Sequence, residues 1–279
     1  MSYTTESIIL SSQNDISTNS NELNVQLPSV WYANNSEIAL ASLYIYYSWF
    51  NITSTFANNA CTYTWTNGTT YPVAFPNGYY LPADISGFLQ YTMNVNGHYL
   101  VNAEGANVYY ISVVENSVYY ADSIVVDPIP TVLATGWTNP NAITLNGLRP
   151  QLNILSSNSF GAIIGFNVGS YPPIQAGTAY SVNSQNVPQV TPVASVNITC
   201  NLANTGNFNQ IQGIIGSFAT GSTAIGQQII VNPTFPVYYK VNDGRYANIS
   251  VSFLDNNNKP LQIVDPVIIV TLTVRTLKK

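Results

Sequence analysis

The chain has 279 residues and only 7% of them are charged: 7 are Lys or Arg, 12 are Asp or Glu, and the formal net charge is −5. Average soluble chains are about 25% charged. Affinity for phosphates needs clustered Lys and Arg, so this composition excludes a nucleic-acid-binding surface, and we expect no specific nucleic-acid partner. The length suffices for one large domain or two modest ones.

The residue types favour an all-β fold. Tyr occurs 20 times and Val, Thr, Ser and Asn are abundant, whereas Glu, Lys and Arg, which favour helical surfaces, are scarce. The solvated exterior must therefore consist largely of uncharged polar groups. Such a surface suits a protein that is packed against neighbours, or one that binds sugars.

The start of the chain, "MSYTTESIIL", has no basic residue and no apolar run of signal-peptide length. Nowhere in the sequence do 18 or more apolar residues stand together. We therefore expect neither export by a standard signal nor a membrane span.

Short alternating runs predict strands in both terminal parts of the chain. The predicted strands are 5–11, 22–28, 37–47, 193–201, 211–218, 236–241, 248–254 and 267–275. A slip in the alternation at Ala41-Ser42 predicts a β-bulge. The connection 255–265 is too long for a two-residue hairpin turn and suits a crossover from one sheet to another.

One central segment breaks the β pattern, "NGYYLPADISGFLQYTMNVNG" at 77–97. Apolar residues at helical spacing predict a helix over 84–95, with its apolar face in the core and Gly97 as a stop. The rest of the centre predicts a hairpin of 108–113 and 118–126 over Glu115-Asn116. Pro- and Gly-rich loops follow at 127–150 and 167–192, with a turn or short helix at "SFGAIIGF" between them.

Eight strands in two sheets is the number found in a jelly roll. The sequence thus predicts an all-β protein, a single jelly-roll β-sandwich formed by 1–50 and 187–279. A large insertion at 51–186, mainly β with one short helix, would separate the third and fourth strands of the sandwich.

His98 is the only histidine. Its context, "NVNGHYLV", is typical of a turn, so we expect a solvated turn residue, although a Ser-His-Asp arrangement centred on it stays open. One His cannot supply the several histidines of a cupin metal site.

Any two of the 12 acids could converge as a glycosidase pair. Most of them lie in turn-like segments, where Asp bonds its own backbone: Asp15, Asp127, Asp243, Asp255 and Asp265. The run "DNNN" at 255–258 could hold calcium through oxygens. It lacks the glycine and the terminal Glu of an EF-hand loop, so a plain turn is favoured.

Cys61 and Cys200 are far apart in sequence and have neither a paired spacing nor a nearby His. They are interpreted as two buried free thiols. No Gly-rich phosphate loop is present. We therefore predict no catalytic, cofactor-binding or metal-binding residues, no cofactor and no enzymatic activity.

Five phrases, in this order along the chain, resemble the penton, or minor capsid, proteins of virophages and polinton-like viruses. They are "SWFNI" (48–52), "NGYYLPADISGFLQYTM" (77–93), "SFGAIIGFNVGSYPP" (159–173), "VASVNITCNLAN" (193–204) and "NDGRYANISVSFLDNNNKPLQIVDPVIIVTLTVR" (242–275). None of these phrases contains a catalytic motif, so no functional residue carries over.

The resemblance implies a single jelly roll with an inserted upper domain. It also implies a homopentamer that closes the fivefold vertices of an icosahedral capsid, beside a double jelly-roll major capsid protein. The expected location is the virion, at the capsid vertex, after assembly in the cytoplasm of the infected host cell. The insertion is expected to face outward, where it could contact a host receptor or a fibre component.

A different class of function stays open. The 20 Tyr and 4 Trp residues and the Asn-rich composition suit stacking and hydrogen bonding to sugars. The alternative hypothesis is therefore a carbohydrate-binding or adhesive β-sandwich protein. Binding of the isolated monomer to glycans would distinguish it from a capsid subunit.

Overall fold

A computed structural model describes residues 2–17, 19, 21–204 and 213–277. The chain divides into two compact units. Unit 1 comprises Met1–Trp49 and Val193–Lys279, and unit 2 comprises Phe50–Pro192. The sequence analysis placed the insertion at 51–186.

Strands account for most of the regular structure in the described residues. In chain order they are β1 (Tyr3–Ser11), β2 (Glu22–Ala33), β3 (Ser36–Tyr46), β4 (Ala60–Thr64), β5 (Thr70–Ala74), β6 (Leu100–Val101), β7 (Asn107–Val108), β8 (Ile111–Asn116), β9 (Ala121–Val126), β10 (Gln151–Ile154), β11 (Gly169–Tyr171), β12 (Tyr180–Asn183), β13 (Val196–Cys200), β14 (Ala203–Asn204), β15 (Ile214–Phe218), β16 (Gln228–Val231), β17 (Tyr239–Val241), β18 (Gly244–Leu254) and β19 (Ile268–Leu277). The α-helices are α1 (Pro82–Val95) and α2 (Phe160–Ile163), and 3-10 turns occur at Ser12–Asn14 and Ser117–Tyr119.

The described residues of unit 1 form two antiparallel sheets. The first has the strand order β1-β19-β3-β17-β14, with β16 also paired to β3, and the second has the order β15-β13-β18-β2. Consecutive strands alternate between the sheets: β1 lies in the first, β2 in the second, β3 in the first and β13 in the second. These crossovers produce the jelly roll. The predicted all-β, jelly-roll fold class is confirmed.

The core of unit 1 follows the alternation of its long strands. Ile249, Val251 and Phe253 of β18 are completely buried. The alternate residues of β19 that face the same interior are at most 5% exposed: Ile268, Val270, Leu272 and Val274. The sheets approach closely where β15 faces β3, since a Cβ atom added to Gly216 would lie 3.1 Å from Cδ2 of Leu40. The half-buried strands predicted from the sequence therefore enclose the sandwich interior.

Two local predictions about unit 1 are confirmed. In the β3–β19 ladder Thr271 pairs with Ser42 and Leu272 with Leu40, which leaves Ala41 without a partner, as in a β-bulge. The connection after β18 leads from the second sheet to β19 of the first, so it is a crossover.

Other predicted strand bounds differ from the structure. Strand β2 continues beyond Pro28 to Ala33 because the ladder with β18 is interrupted there, between the partners of Gln26 and Trp31. A bulge can accommodate a proline, which has no N–H to donate. The sequence analysis missed β16, and the predicted strand 211–218 begins at residues that lie outside those described.

Unit 2 contains three further antiparallel sheets, with the orders β11-β10-β4-β5, β12-β9-β8 and β6-β7. Its helix α1 begins two residues before the predicted start because Pro82 fits the first helical turn, where its missing N–H is not needed. Ile85, Leu89 and Met93 are completely buried, so the predicted core face is confirmed. Gly97 follows the helix with φ +72°, a left-handed conformation that favours glycine.

The hairpin β8–β9 turns later than predicted. Asn116 pairs with Ala121, and the turn comprises residues 117–120 instead of Glu115-Asn116. Tyr120 closes this turn with φ 49°. Strands β4, β5 and β10 were not predicted. The prediction of a loop at 167–192 is wrong, since this segment contains β11 and β12, whereas the loop 127–150 contains no regular element, as predicted.

In the part of the chain that the structure describes, no helix has both the length and the apolar character needed to cross a membrane.

Candidate functional site

Unit 2 has a cleft with a cavity volume of about 360 Å³ that contains two carboxyl groups. We call it the acidic cleft. Most of its walls are aliphatic or proline side chains, and its lining residues are Leu81, Pro82, Glu115, Ser117, Tyr120, Ala121, Asp122, Val187, Pro188 and Val190.

The β8–β9 ladder places the two acids together. Glu115 and Asp122 are directly opposite each other in this antiparallel pair, and opposite residues project from the same face of a sheet. With the turn predicted at Glu115-Asn116 they would not have been partners. The sequence analysis therefore missed this pair, and only the register of the hairpin reveals it.

Asp122 has an unusual environment for a carboxyl group. The residue is 1% exposed, and its Oδ2 atom has no hydrogen-bond partner among the described residues. Burial, and secondly the charge of Glu115, raise the pKa of Asp122 to about 7. Desolvation and a nearby like charge both disfavour the ionised form.

A protonated carboxyl beside an ionised one is also the arrangement that glycosidases use. The acidic cleft thus meets the placement criterion of that hypothesis, two acids in one cleft. Its walls, however, are mainly Leu81, Pro82, Val187, Pro188 and Val190, which cannot hydrogen-bond to sugar hydroxyls. The lining fits an apolar ligand with a polar end better than a sugar ring.

The prediction that His98 is a solvated turn residue is wrong. His98 is 6% exposed, and its ring stacks on Trp65 with a centroid distance of 4.2 Å and an interplanar angle of 6°. It immediately follows the turn at Gly97, but the aromatic residues of β4 and β5 cover it. The sequence could not have revealed this, because those strands were not predicted.

The contacts of His98 define its protonation state. Nδ1 lies 2.8 Å from the hydroxyl of Tyr63, which accepts a hydrogen bond from the Asn96 side chain at 2.9 Å. The Tyr63 hydroxyl can therefore donate to Nδ1, which requires a neutral ring. Burial lowers the pKa of His98 to about 4. The partner of this ring nitrogen is a tyrosine, not the acid or serine of a Ser-His-Asp triad.

A second cleft of unit 2 adjoins His98 and is mainly polar. We call it the amide cleft, and its cavity volume is about 520 Å³. It is lined by Trp65, Thr66, Asn67, Val95, Asn96, Gly97, His98, Asn141, Ala142, Ile143 and Thr144. The buried hydroxyl of Thr66 has no hydrogen-bond partner in the described part of the chain.

The turn predictions for acidic residues hold in unit 1. Asp255 Oδ1 accepts hydrogen bonds from the backbone N–H groups of Asn257 and Lys259, each at 2.8 Å, so the plain turn is confirmed. Asp15 Oδ1 accepts from two backbone N–H groups in the same way. These carboxylates stabilise loops.

Cys61 and Cys200 are buried free thiols, as predicted. Burial raises the pKa of both, that of Cys200 to about 11. A thiol must ionise to act as a nucleophile, so neither is activated.

Unit 1 exposes large apolar side chains between residues 225 and 237. Phe235 is 83% exposed, Val237 59%, Ile230 52% and Ile225 37%. We call this segment the apolar segment. Clusters of exposed apolar residues of this kind mark surfaces that contact other molecules.

No protein-family model matches the sequence, and no curated protein matches it either. Solved structures to which the chain is similar include the following two. The mavirus penton protein is 10% identical with a TM-score of 0.49, and the match covers 98% of each chain. A chain of the Sputnik virophage structure is 14% identical with a TM-score of 0.39, and the match covers 98% of this chain and 97% of that one.

Proposed function

We propose that this chain is a structural viral capsid protein, a penton subunit. Homopentamers of it would close the fivefold vertices of an icosahedral capsid, in contact with a double jelly-roll major capsid protein. The protein would thus be located at the vertices of the virion after assembly in the cytoplasm of the infected cell. Unit 2 would be available to a host receptor or a fibre component.

The sequence phrases and the fold support this proposal together. The phrases that resemble penton proteins occur in order and belong to both units. Unit 1 has the jelly-roll topology, with unit 2 inserted in the sequence between its third strand, β3, and its next strand, β13. A fold alone does not establish function. Further support for the proposal must therefore come from the surface of unit 1.

The apolar segment is the observation that carries the proposal. Phe235 and Val237 are both more than half exposed, and their burial against another molecule would be favourable. A head-to-tail contact whose rotation closes produces a ring of identical subunits. The low content of charged residues agrees with flanks that neighbouring subunits cover.

The chemistry of the interior favours a structural role over catalysis. The ring of His98 is neutral and hydrogen-bonded to Tyr63. The thiols of Cys61 and Cys200 are buried with raised pKa values. These groups fill the core of the protein and are not activated for acid-base or nucleophilic reactions.

The decisive experiment is electron microscopy of the purified full-length chain, with native mass spectrometry to count subunits. We expect closed rings of five copies, and incorporation of these rings into particles when the major capsid protein is added. A chain that stays monomeric at high concentration and does not enter particles would contradict the proposal.

The amide cleft favours a second candidate function, carbohydrate binding. Its lining includes the side chains of Asn67, Asn96, Asn141 and Thr144 and the unpartnered hydroxyl of Thr66, groups that can donate to and accept from sugar hydroxyls. A glycan array probed with the isolated monomer tests it. Specific binding that Asn141→Ala abolishes would favour this function.

A further inference from the structure

The acidic cleft combines an apolar wall with a negatively charged end. Leu81, Pro82 and Val187 provide aliphatic surface, and Glu115 and Asp122 provide the carboxyl groups. A ligand that fits this lining has an aliphatic stem and a cationic head. The side chain of lysine has this form, four methylene groups and an ammonium with three donors.

The carboxyl group of Asp122 lacks a donor that such a ligand would supply. Its Oδ2 atom is buried and has no hydrogen-bond partner among the described residues. Buried polar atoms in native proteins are almost always hydrogen-bonded, so an exception calls for an explanation such as a functional role, strain or a bound water or ion. The neighbouring acid of helix α1, Asp84, is already used, because its carboxylate accepts from the backbone N–H of Leu81.

Unit 2 cannot supply the cation itself. Arg149 is the only Lys or Arg between residues 50 and 192, a range that contains five acids. Arg149 is 7% exposed, and its guanidinium donates to three backbone carbonyl groups, those of Ile174, Ala176 and Thr178. Among the described residues, no Lys or Arg lines the acidic cleft. A complementary charge would therefore have to come from outside unit 2.

We propose that the acidic cleft binds a lysine side chain presented by a partner polypeptide. Its ammonium donates to Asp122 and Glu115, and its methylene stem lies along Leu81, Pro82 and Val187. The site belongs to unit 2 alone, so this inference does not depend on whether the chain forms pentamers.

The first test measures binding of a blocked lysine, Nα-acetyl-lysine N-methylamide, to the full-length protein by ligand-observed NMR. Blocked norleucine, which has the same number of side-chain carbons without the ammonium, is the matched probe. We expect the lysine probe to bind at least about tenfold more tightly than norleucine. Equal affinities for the two probes would overturn the proposal.

The second test changes the protein. Asp122→Asn and Glu115→Gln should each weaken binding of the lysine probe by about tenfold, because each removes one charged acceptor. Glu104→Gln, which changes an exposed acid of the same unit outside the cleft, is the control and should bind like the parent. If Asp122→Asn does not fold, Glu115→Gln still tests the proposal, because Glu115 is exposed. Binding that none of these variants changes would overturn it.

The third test uses pH. Asp122 must be ionised to hold the ammonium, and the group that faces it with a like charge is Glu115 on the paired strand. The Kd of the lysine probe should therefore decrease severalfold between pH 6 and pH 8, while that of norleucine stays constant. A Kd independent of pH, or competition by Ca²⁺ or by neutral sugars instead of by lysine, would contradict a lysine site.

Discussion

The hydroxyl of Tyr63 lies 2.8 Å from Nδ1 of His98 inside unit 2, and the His98 ring stacks on Trp65. Burial lowers the pKa of His98 to about 4, so the ring is neutral at pH 7. The single histidine of the chain is therefore a component of the core, and its protonation opposes folding.

Acidification should destabilise the protein through His98. The pKa of His98 is lowered from 6.5 to about 4 by burial, so its contribution to stability is complete above pH 6.5 and is lost as pH falls towards 4. The loss amounts to roughly 3 kcal/mol at about 1.4 kcal/mol per pKa unit. Urea unfolding of the parent and of His98→Gln, between pH 7 and pH 4, measures it. The free energy of unfolding of His98→Gln should lack this part of the pH dependence. The same pH dependence in the parent and the variant would contradict the assignment.

The contribution of Asp122 to stability should change with pH in the opposite direction. Its pKa is raised from 3.8 to about 7, so its contribution to stability is complete below pH 3.8 and is lost as pH rises through 7. Asp122→Asn removes a buried carboxyl that must ionise at high pH. We expect this variant to be more stable than the parent at pH 8, by about 1–3 kcal/mol, and similar to it near pH 5. Glu104→Gln is the control for a general charge effect, and a loss of stability in Asp122→Asn at pH 8 would show that the carboxylate is paired.

Two glycines should respond in opposite ways to an added side chain. Gly216→Val places new atoms against Leu40, where a Cβ alone would be 3.1 Å from Cδ2, and should destabilise the sandwich by about 1–3 kcal/mol. Gly87→Ala in α1 meets no atom within 4 Å and should stabilise the protein by about 0.5–1 kcal/mol, because alanine favours the helix. Denaturant midpoints measure both. An unchanged denaturant midpoint in Gly216→Val would mean that the two sheets can separate at this position.

Phe235→Asp should prevent ring formation without unfolding the subunit. The side chain is 83% exposed, so the free subunit has little use for it, whereas an interface would have to bury the new charge. Analytical ultracentrifugation of the variant should show monomers with a melting temperature like that of the parent. Phe235→Tyr, which retains the aromatic ring, is the matched control and should still assemble. Normal rings from Phe235→Asp would exclude the apolar segment from the interface.

Alternation in the sequence predicts the sandwich well because long strands with one buried face carry a strong period of two. Ile249, Val251 and Phe253 show it, and the slip at Ala41-Ser42 even marks a bulge. Short strands do not carry such a pattern. In β5, Pro72 interrupts the apolar residues, so the strand that covers His98 was not predicted.

The acidic cleft could not be predicted for a related reason. Its two acids become neighbours only through the register of β8 and β9, which depends on where the turn lies. The left-handed conformation of Tyr120 closes this turn, and a tyrosine is not the residue type expected there. The turn predicted at Glu115-Asn116 begins two residues before the turn that the structure has at 117–120.

The burial of Arg149 leaves the outside of residues 50–192 with anionic groups and no cationic ones. Such a surface repels any other anionic surface over distances comparable with the Debye length, about 10 Å at 0.1 M salt. The distance to which another acidic surface can approach residues 50–192 should therefore depend on ionic strength. At lower salt the Debye length is longer, so the repulsion should keep the two surfaces farther apart.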